Sequence, residues 1–290
     1  MYYPIWLAYA AGVLEQSGFN VRLVDAPAAG YPLASVVGLA ETFQPRLVVI
    51  DTSTPSLHND VAVAEAIKRS LPKSFVLLVG PHVSALPEAS LQASPAVDGV
   101  ARREYDYTVR DLAQILDGGG DLDTVLGLSY RGKDGGIVHN ADRPFIQDLD
   151  ALPFVSQVYR RHLRVEHYFY SITRYPEVTI LAGRGCPCRC TFCLWPQTLT
   201  GHKYRRRSAA NVADEFEFIA REFPQVREVF VEDDTLTIDQ GYAVALAQEL
   251  VRRQNRLPFT ANSRADVKEE TLYRLKQAGL RLLCVGFESG

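Results

Sequence analysis

The sequence has no apolar run that approaches the roughly 20 residues needed to cross a bilayer, and it has no excess of basic residues. Its 31 Lys and Arg residues stand against 34 Asp and Glu residues, and the formal net charge of −3 argues against a surface that coats nucleic acid. The apolar start, MYYPIWLAYAAGVL, lacks a basic leader and predicts a packed helix rather than a signal peptide. We therefore expect a cytoplasmic protein with no nucleic-acid partner and no transmembrane segment.

Cysteine is scarce outside one short loop, because four of the five cysteines lie between positions 186 and 193. The disulfide framework of a secreted protein would spread its cysteines along the chain to close loops. Four thiols crowded into one loop instead indicate ligands for a metal ion or a metal cluster.

The first half of the chain alternates short apolar strands with amphipathic helices, which predicts a parallel sheet covered by helices on both faces. Strands are predicted at Val21–Asp25, Arg46–Asp51, Phe75–Val79 and Val97–Ala101. Thr124–Val138 predicts a small hairpin. Ile5–Ser17 is predicted as the first helix, with no strand ahead of it. Since a doubly wound sheet normally opens with a strand, we expect the first strand to be missing.

The second half repeats the alternation with a longer period. Its predicted strands are Val178–Ala182, Arg227–Val231, Phe259–Asn262 and Arg281–Gly286. Its predicted helices are Ser208–Glu222, Gln240–Gln254 and Lys268–Ala278. Four repeats that do not close are too few for a barrel and leave an unpaired edge, so the pattern predicts a fragment. We place a first domain at residues 1–140, a linker at 141–175 and a second domain at 176–290.

The cysteine loop, GRGCPCRCTFCLWPQ, places Cys186, Cys190 and Cys193 in a C-x3-C-x2-C spacing directly after a predicted strand. Three thiolates can each hold one iron of a four-iron cluster, which leaves the fourth iron open to another ligand. Gly183 and Gly185 allow the backbone to turn tightly beside the cluster.

Two other interpretations of the loop remain open. Cys188 is either a tolerated small residue or a fourth ligand, in which case the site is an all-cysteine zinc site or a closed electron-transfer cluster. Alternatively, three cysteines and another ligand such as His202 hold zinc, and the chain is a non-catalytic ligand-binding module.

At these residues the chain resembles the radical SAM superfamily (SAM is S-adenosylmethionine), in the subgroup with an N-terminal cobalamin-binding domain. The resemblance implies a flavodoxin-like (Rossmann-like) cobalamin-binding domain followed by a partial radical SAM (β/α) barrel. It implies a four-iron four-sulfur cluster that cleaves SAM reductively to a 5′-deoxyadenosyl radical, and an electron donor such as flavodoxin or ferredoxin. By the same resemblance the SAM contacts are Phe192, Glu232, Asp233, Asp234, Ser263, Arg264 and Glu288.

The resemblance also implies that loops after the strands of the first domain cradle cobalamin. The matching residues are Thr52, Ser53, Thr54, Gly80, Pro81 and Glu104. The DxHxxG motif that supplies a cobalt-binding histidine in other cobalamin proteins is absent, so the lower axial ligand is not identified. His82 is the one histidine on such a loop, and ordinary turn chemistry or a nucleotide site would explain the same loops.

The stretch CLWPQTLTGHKYRRRS and the start YYPIWLAYAAGVLE resemble the hopanoid-biosynthesis radical SAM group. This resemblance implies a small-molecule or lipid-linked substrate, a methylation or rearrangement of a hopanoid side chain, and a location at the inner membrane surface for such a substrate. The basic residues His202, Lys203, Arg205, Arg206 and Arg207 either contact a polar substrate or cofactor group or form a solvated connection before a helix capped by Ser208. Neither the motifs nor the resemblance assigns a catalytic residue.

Overall fold

The computed structural model describes residues 2–287, which form two sheets with helices packed on both. The elements of the first part are α1 Ile5–Gln16, α2 Ala26–Ala29, α3 Leu33–Phe43, β1 Leu47–Asp51, α4 Leu57–Ser70, β2 Phe75–Val79, α5 Pro81–Ala85, α6 Pro87–Gln92, β3 Gly99–Ala101, α7 Asp106–Gly118, β4 Leu128–Arg131 and β5 Ile137–His139. None of the helices in this described range is long and apolar enough to span a membrane.

The first sheet has the order β1-β2-β3-β4-β5, with the first three strands parallel and the hairpin antiparallel. Leu47 and Val49 of β1 pack with α1 and α7 on one face, while Val48 and Ile50 pack with α3 and α4 on the other. The predicted strands after residue 45 and the predicted hairpin are therefore confirmed, with the third strand shortened to Gly99–Ala101.

The predicted strand at Val21–Asp25 is wrong. The segment has no regular secondary structure and belongs to none of the sheets. A strand needs a neighbouring backbone to pair with, and this segment faces β1 across a cavity of about 860 Å³.

The second part contains α8 Val155–His162, β6 Glu177–Ile180, β7 Gly183–Arg184, β8 Arg205–Arg206, α9 Ala209–Glu222, β9 Glu228–Val231, α10 Gln240–Arg252, β10 Phe259–Ser263, α11 Glu269–Gln277 and β11 Leu280–Val285. The parallel sheet has the order β11-β10-β9-β6, and its strands and helices confirm the predicted elements within one or two residues. Ser208 caps α9, accepting a hydrogen bond from the Asn211 N–H at 3.1 Å.

The stretch between the sheets is packed rather than loose. Leu149, Val155 and Tyr159 are buried in the same core as α1, β6 and α9. Tyr3, just ahead of α1, also donates a hydrogen bond from its hydroxyl to the main-chain oxygen of Glu177 at 2.7 Å. The α1 helix therefore joins the two sheets, although the division at residues 141–175 remains a prediction.

Candidate functional site

The cysteine loop is held at its base by a two-stranded ribbon, in which Gly183 and Arg184 pair antiparallel with Arg206 and Arg205. Directly after the first strand of the ribbon, Gly185 has φ +93°, and a Cβ there would collide with the main-chain oxygen of Lys203. Only glycine tolerates this combination of positive φ and close backbone approach without strain. The ribbon and the turn therefore fix where the first cysteine leaves the sheet.

The thiols of the loop differ in their exposure to solvent. Cys190 is exposed, Cys186 and Cys193 are half-buried, and all three are free thiols. The Cys186 N–H donates to Gly201 O at 3.2 Å, and the Gln197 amide donates to Cys193 O at 2.6 Å. These contacts join both ends of the loop to its C-terminal segment.

Three closely spaced thiols are a donor set that suits an iron–sulfur cluster. Among residues 2–287, no three His, Cys, Asp or Glu side chains are grouped so that they could hold a lone metal ion. A four-iron cluster distributes its cysteines over separate irons. Burial raises the pKa of Cys186 to about 11 and raises the pKa of Cys193. Metal binding must therefore displace protons from both thiols, and the iron charge favours that.

Cys188 and His202 have other partners. The Arg264 guanidinium donates from Nη1 to Cys188 Sγ at 3.2 Å. The His202 ring pairs through Nδ1 with the main-chain oxygen of Cys188 at 3.2 Å, which makes Nδ1 the protonated nitrogen. These contacts connect the middle of the loop to the end of β10 and to the segment ahead of β8.

The three acids after β9 occupy different environments. Asp233 is fully buried and accepts from the Ala182 N–H at 2.7 Å and the Tyr204 hydroxyl at 2.9 Å. Asp234 accepts from the Thr200 hydroxyl at 3.1 Å. Asp233 therefore braces the start of the loop, and Asp234 lies against its C-terminal turn.

Burial also changes the acidity of these groups. It raises the pKa of Asp233 to about 7 and raises the pKa of Asp234. Glu232 is half-buried, and burial raises the pKa of its carboxyl to about 7. A carboxylate that is costly to bury without a partner is suited to meet a cation such as an ammonium group.

The remaining predicted SAM contacts are spread around the same edge. Ser263 is buried at the end of β10 and hydrogen-bonds with the Thr237 hydroxyl at 2.7 Å. Arg264 is exposed and pairs with Asp266 at 3.2 Å, while Phe192 is exposed on the loop. Glu288 lies outside the described residues. Arg264 reaches the cysteine loop directly, and the structure leaves the role of each residue in SAM binding as a prediction.

The loops after β1 and β2 meet at a glycine. Gly80 has φ +108°, and a Cβ there would lie 2.5 Å from Asp51 Oδ1 and 2.6 Å from Thr52 O. Thr54 hydrogen-bonds through its hydroxyl with His82 Nδ1 at 3.0 Å, so the histidine ring is already engaged as a turn partner. Thr52 is buried. Ser53 and Thr54 are exposed, and Pro81 is half-buried. These residues form one polar rim at the carboxyl end of the sheet.

Glu104 differs from the residues of that rim, because its carboxylate is buried and hydrogen-bonded within the protein. Arg205 donates to both of its oxygens, at 2.7 and 2.8 Å, and the Ile146 N–H donates to one of them at 2.9 Å. Beside it, Arg184 donates to both oxygens of Asp106 at 2.9 and 3.2 Å. These buried pairs link the first domain to the ribbon below the cysteine loop.

The basic segment ahead of α9 contains both buried and exposed side chains, so the expectation of a wholly solvated connection does not hold for its buried arginines. Arg205 and Arg207 are buried, and Arg207 pairs with Glu215 at 2.5 Å. Arg206 is exposed and pairs with Asp239. His202 and Lys203 are exposed. Alternate residues of a short strand point to opposite sides, so only some of these cations are available to a ligand.

The two candidate cofactor regions lie next to each other. The helix α5, which begins directly after Gly80, contacts the π-helical turn Pro196–Thr200 behind the cysteines. The only two tryptophans of the chain, Trp6 on α1 and Trp195 beside that turn, are stacked with ring centroids 6.4 Å apart. Arg184 lies 4.6 Å from the Trp6 ring centroid. The carboxyl end of the first sheet therefore faces the cysteine loop.

Several residues at the contact between the first domain and the cysteine loop were not predicted from the sequence. They are Tyr204, Thr200, Arg184 and Asp106. One signal for buried arginines was available, because strand alternation in TGHKYRRRS places Arg205 and Arg206 on opposite sides. The identity of each buried partner was not readable, since Glu104 lies 101 positions from Arg205.

Comparison with known proteins agrees with this arrangement. The B12 binding domain family matches residues 1–113, and the radical SAM superfamily matches residues 180–290. An uncharacterized methyltransferase of Pyrococcus horikoshii is 28% identical over 99% of this chain and 61% of its own length. The hopanoid C-3 methylase of Methylococcus capsulatus is 25% identical over 99% of this chain and 53% of its own length.

Among solved structures, the radical SAM methyltransferase TsrM from Kitasatospora setae, bound to tryptophan and a SAM analogue, superposes with a TM-score of 0.79. Its sequence identity is 20%, and the match covers 99% of this chain and 57% of that chain. This likeness shows the fold. The chain thus spans between half and two thirds of the length of each of these three proteins.

The cysteine loop lies within the radical SAM match, and Gly80 lies within the B12 binding match. The cofactors are accordingly a four-iron four-sulfur cluster, SAM and cobalamin. The chain therefore combines a segment that matches the B12 binding domain family, residues 1–113, with a segment that matches the radical SAM superfamily, residues 180–290.

Proposed function

We propose that this chain is the cofactor-binding part of a cobalamin-dependent radical SAM methyltransferase. One observation carries the proposal: the rim around Gly80 and the cysteine loop face each other through α5 and the Pro196–Thr200 turn. A methyl carrier and a radical generator must both reach one substrate carbon, so their sites need to be adjacent. The methyltransferase names of the Pyrococcus and Kitasatospora proteins support the same reaction class.

In this proposal Cys186, Cys190 and Cys193 hold the cluster. When bound, the cofactors supply the radical that removes a substrate hydrogen and the methyl group that replaces it. The protein positions them: Asp233 and the glycine turn fix the loop, while Arg264 and Glu232 offer opposite charges to the carboxylate and ammonium of SAM.

We further propose a substrate with a polar group on a lipid or small-molecule skeleton, the hopanoid side chain being the specific candidate. The resemblance of residues 193–208 to hopanoid-biosynthesis proteins and the Methylococcus relative support it. The protein would then work at the inner membrane surface and would take electrons from a donor such as flavodoxin or ferredoxin. A rearrangement of the same side chain is the competing outcome.

The test is anaerobic reconstitution with iron and sulfide, comparing single alanine variants of Cys186, Cys190 and Cys193 with Cys188→Ala. We expect about four irons with matching sulfide, loss of the cluster in the three ligand variants, and retention in the Cys188 variant. Zinc without sulfide, or loss of iron in Cys188→Ala, would contradict the open cluster.

The reaction class is tested separately with SAM labelled in its methyl group and bacterial lipid extract as substrate. Label in a hopanoid product, together with 5′-deoxyadenosine, supports methyl transfer. 5′-Deoxyadenosine with an unlabelled, rearranged product would replace methylation by rearrangement.

A further inference from the structure

A cavity lined by three arginines lies at the amino ends of neighbouring strands in the second sheet. Its volume is about 640 Å³, which falls within the roughly 300–1,000 Å³ of small-molecule sites. We call it the arginine pocket, after Arg174, Arg227 and Arg256. Because the whole chain has a formal net charge of −3, this group of cations contrasts with the overall charge balance.

The sheet places the three arginines side by side. Arg227 comes directly ahead of β9, while Arg174 and Arg256 come shortly ahead of β6 and β10. In the sheet β9 lies between β10 and β6. Since neighbouring strands are about 4.8 Å apart, the two outer strands are separated by about 10 Å. The tertiary structure therefore groups cations that come from distant parts of the sequence.

These three guanidiniums are not neutralised within the described part of the chain. All three side chains are exposed, and among residues 2–287 none forms an ion pair or donates a hydrogen bond. The buried acid next to Arg227 is Glu228, and its carboxylate already pairs with Arg281 at 2.8 Å and accepts from the Arg174 N–H at 2.6 Å. Cations that repel one another around one cavity favour an anion that they can share.

The remaining wall of the pocket is apolar and aromatic. The Tyr175 ring is held in place, because its hydroxyl donates to the main-chain oxygen of Glu166 at 2.8 Å. The Glu166 carboxylate accepts from the Gln225 amide at 3.0 Å. A few polar groups on an otherwise apolar wall are typical of sites for organic ligands. The residues of this wall are Tyr175, Val226, Leu257 and Pro258.

The arginine pocket is separate from the two cofactor regions. It lies at the amino ends of its strands, whereas the cysteine loop follows the carboxyl end of β6. The four residues of β6 separate these two ends by roughly 13 Å. In parallel α/β folds the reaction takes place beyond the carboxyl ends of the strands. A ligand in the arginine pocket is therefore distinct from the substrate of the proposed methyl transfer.

We propose that the arginine pocket binds an organic phosphate, a small molecule whose phosphate group is attached to an apolar or aromatic part. Guanidinium groups donate hydrogen bonds in a planar fork that matches the oxygens of a phosphate. A phosphate monoester carries about two negative charges at neutral pH, which the unpaired arginines balance. The organic part of the ligand packs against Tyr175 and the apolar residues beside it.

The test measures the binding of phenyl phosphate and of inorganic phosphate to the full 290-residue chain by phosphorus NMR. We expect Arg174→Gln, Arg227→Gln and Arg256→Gln each to weaken phenyl phosphate binding about tenfold, because each variant loses a charge-assisted hydrogen bond. Arg69→Gln removes an exposed arginine of α4 and should bind as the parent does. Circular dichroism checks that each variant is folded.

Tyr175→Ala tests the organic part of the ligand. Phenyl phosphate should bind the parent more tightly than inorganic phosphate does, and this advantage should disappear in Tyr175→Ala. Equal binding of the two probes to the parent would reduce the ligand to a bare anion and would overturn the proposal.

Two further results would also overturn the proposal. One is phenyl phosphate binding that is absent from the parent or unchanged in all three arginine variants. The other is binding of the parent to vesicles that contain phosphatidylglycerol, lost in the arginine variants, while phenyl phosphate does not bind; this would assign the arginines to a membrane surface. Neither probe needs the cluster, SAM or cobalamin, so the outcome is independent of the proposed methyl transfer.

Discussion

Arg205 and Glu104 form a two-point ion pair between the halves of the chain, with Nη1 2.7 Å from Oε2 and Nη2 2.8 Å from Oε1. Both side chains are 4% exposed or less. The same guanidinium donates to the main-chain oxygens of Ile146 and Thr200. One arginine thus joins the first domain, the connecting stretch and the end of the cysteine loop.

Breaking this pair should destabilise the boundary. We expect Arg205→Ala to lower the free energy of unfolding by about 3–5 kcal/mol, because it leaves a buried carboxylate without its partner. Arg205→Lys should recover only part of this loss, since an ammonium cannot donate in the two-point geometry. Urea unfolding followed by tryptophan fluorescence is the measurement, because both tryptophans lie at this boundary.

The neighbouring Arg206 supplies a matched control for that series. It is half-exposed and pairs with Asp239 at the surface, so Arg206→Ala should cost less than about 1 kcal/mol. Equal losses for the two alanine variants would show that burial of the Arg205 pair is not what stabilises the boundary.

Glu177 should make stability depend on pH. Burial raises the pKa of its carboxyl from 4.5 to about 8, and the Thr179 hydroxyl donates to it at 3.0 Å. The folded protein holds the proton more tightly than the unfolded chain does. The stabilisation that this proton binding contributes is therefore complete below pH 4.5 and is lost as pH rises towards 8.

Glu177→Gln keeps the uncharged form at every pH and should flatten that dependence. Between pH 5 and pH 8 we expect the free energy of unfolding of the variant to rise by on the order of 3 kcal/mol relative to that of the parent. Urea unfolding across this pH range is the measurement. Glu270→Gln, at an exposed position on α11, is the control and should leave the slope unchanged. A Glu177→Gln slope that matches the parent would contradict the buried, protonated carboxyl.

Gly80→Ala should damage the rim around Gly80, which we propose as the cobalamin site. The added Cβ would meet Asp51 and Thr52 in a backbone conformation that favours glycine. We expect a loss of about 1–3 kcal/mol in stability from this strain and at least tenfold weaker cobalamin binding, followed by absorbance titration.

Gly30→Ala separates backbone strain from the local collision. Gly30 also has positive φ, but no heavy atom lies within 4 Å of its would-be Cβ. It should lose stability modestly and bind cobalamin as the parent does. Cobalamin binding that is unaffected in Gly80→Ala would remove this turn from the proposed site.

Arg264→Ala should weaken SAM binding to the reconstituted protein about tenfold, because a charge-assisted hydrogen bond contributes roughly 1.5–3 kcal/mol. Anaerobic equilibrium dialysis with labelled SAM measures this directly. Arg274→Ala removes an equally charged side chain whose nearest acid is 3.9 Å away, and it should bind SAM normally. If both variants bind equally well, Arg264 serves the loop through Cys188 and not the cofactor.

The alternation of apolar segments predicted most elements of both sheets, because strands and helices that bury a face carry that pattern locally. The failure at Val21–Asp25 is informative. Its composition is that of a strand, yet strand formation depends on a neighbour that the local sequence does not specify. In the structure this segment is separated from β1 by a cavity of about 860 Å³ and does not pair with it.

Some features of the candidate site could likewise be predicted from the sequence, and others could not. The spacing of Cys186, Cys190 and Cys193 was readable because ligands close in sequence are held together by a short loop. The surroundings of Glu104 could not be predicted from the sequence. Its position on a loop suggested a cofactor contact, whereas in the structure its carboxylate pairs with Arg205. An ion pair between residues far apart in sequence depends on how two domains pack.

The sequence by itself determined the spacing of the candidate cluster ligands, the order of most strands and helices, and the glycines that its turns require. These depend on covalent spacing and on short-range backbone preferences. Only the tertiary structure decided which arginines are available to ligands, which acids are buried, and that the rim around Gly80 faces the cysteine loop. Those properties arise from desolvation and charge pairing between distant segments, and they exist only once the two sheets have packed together.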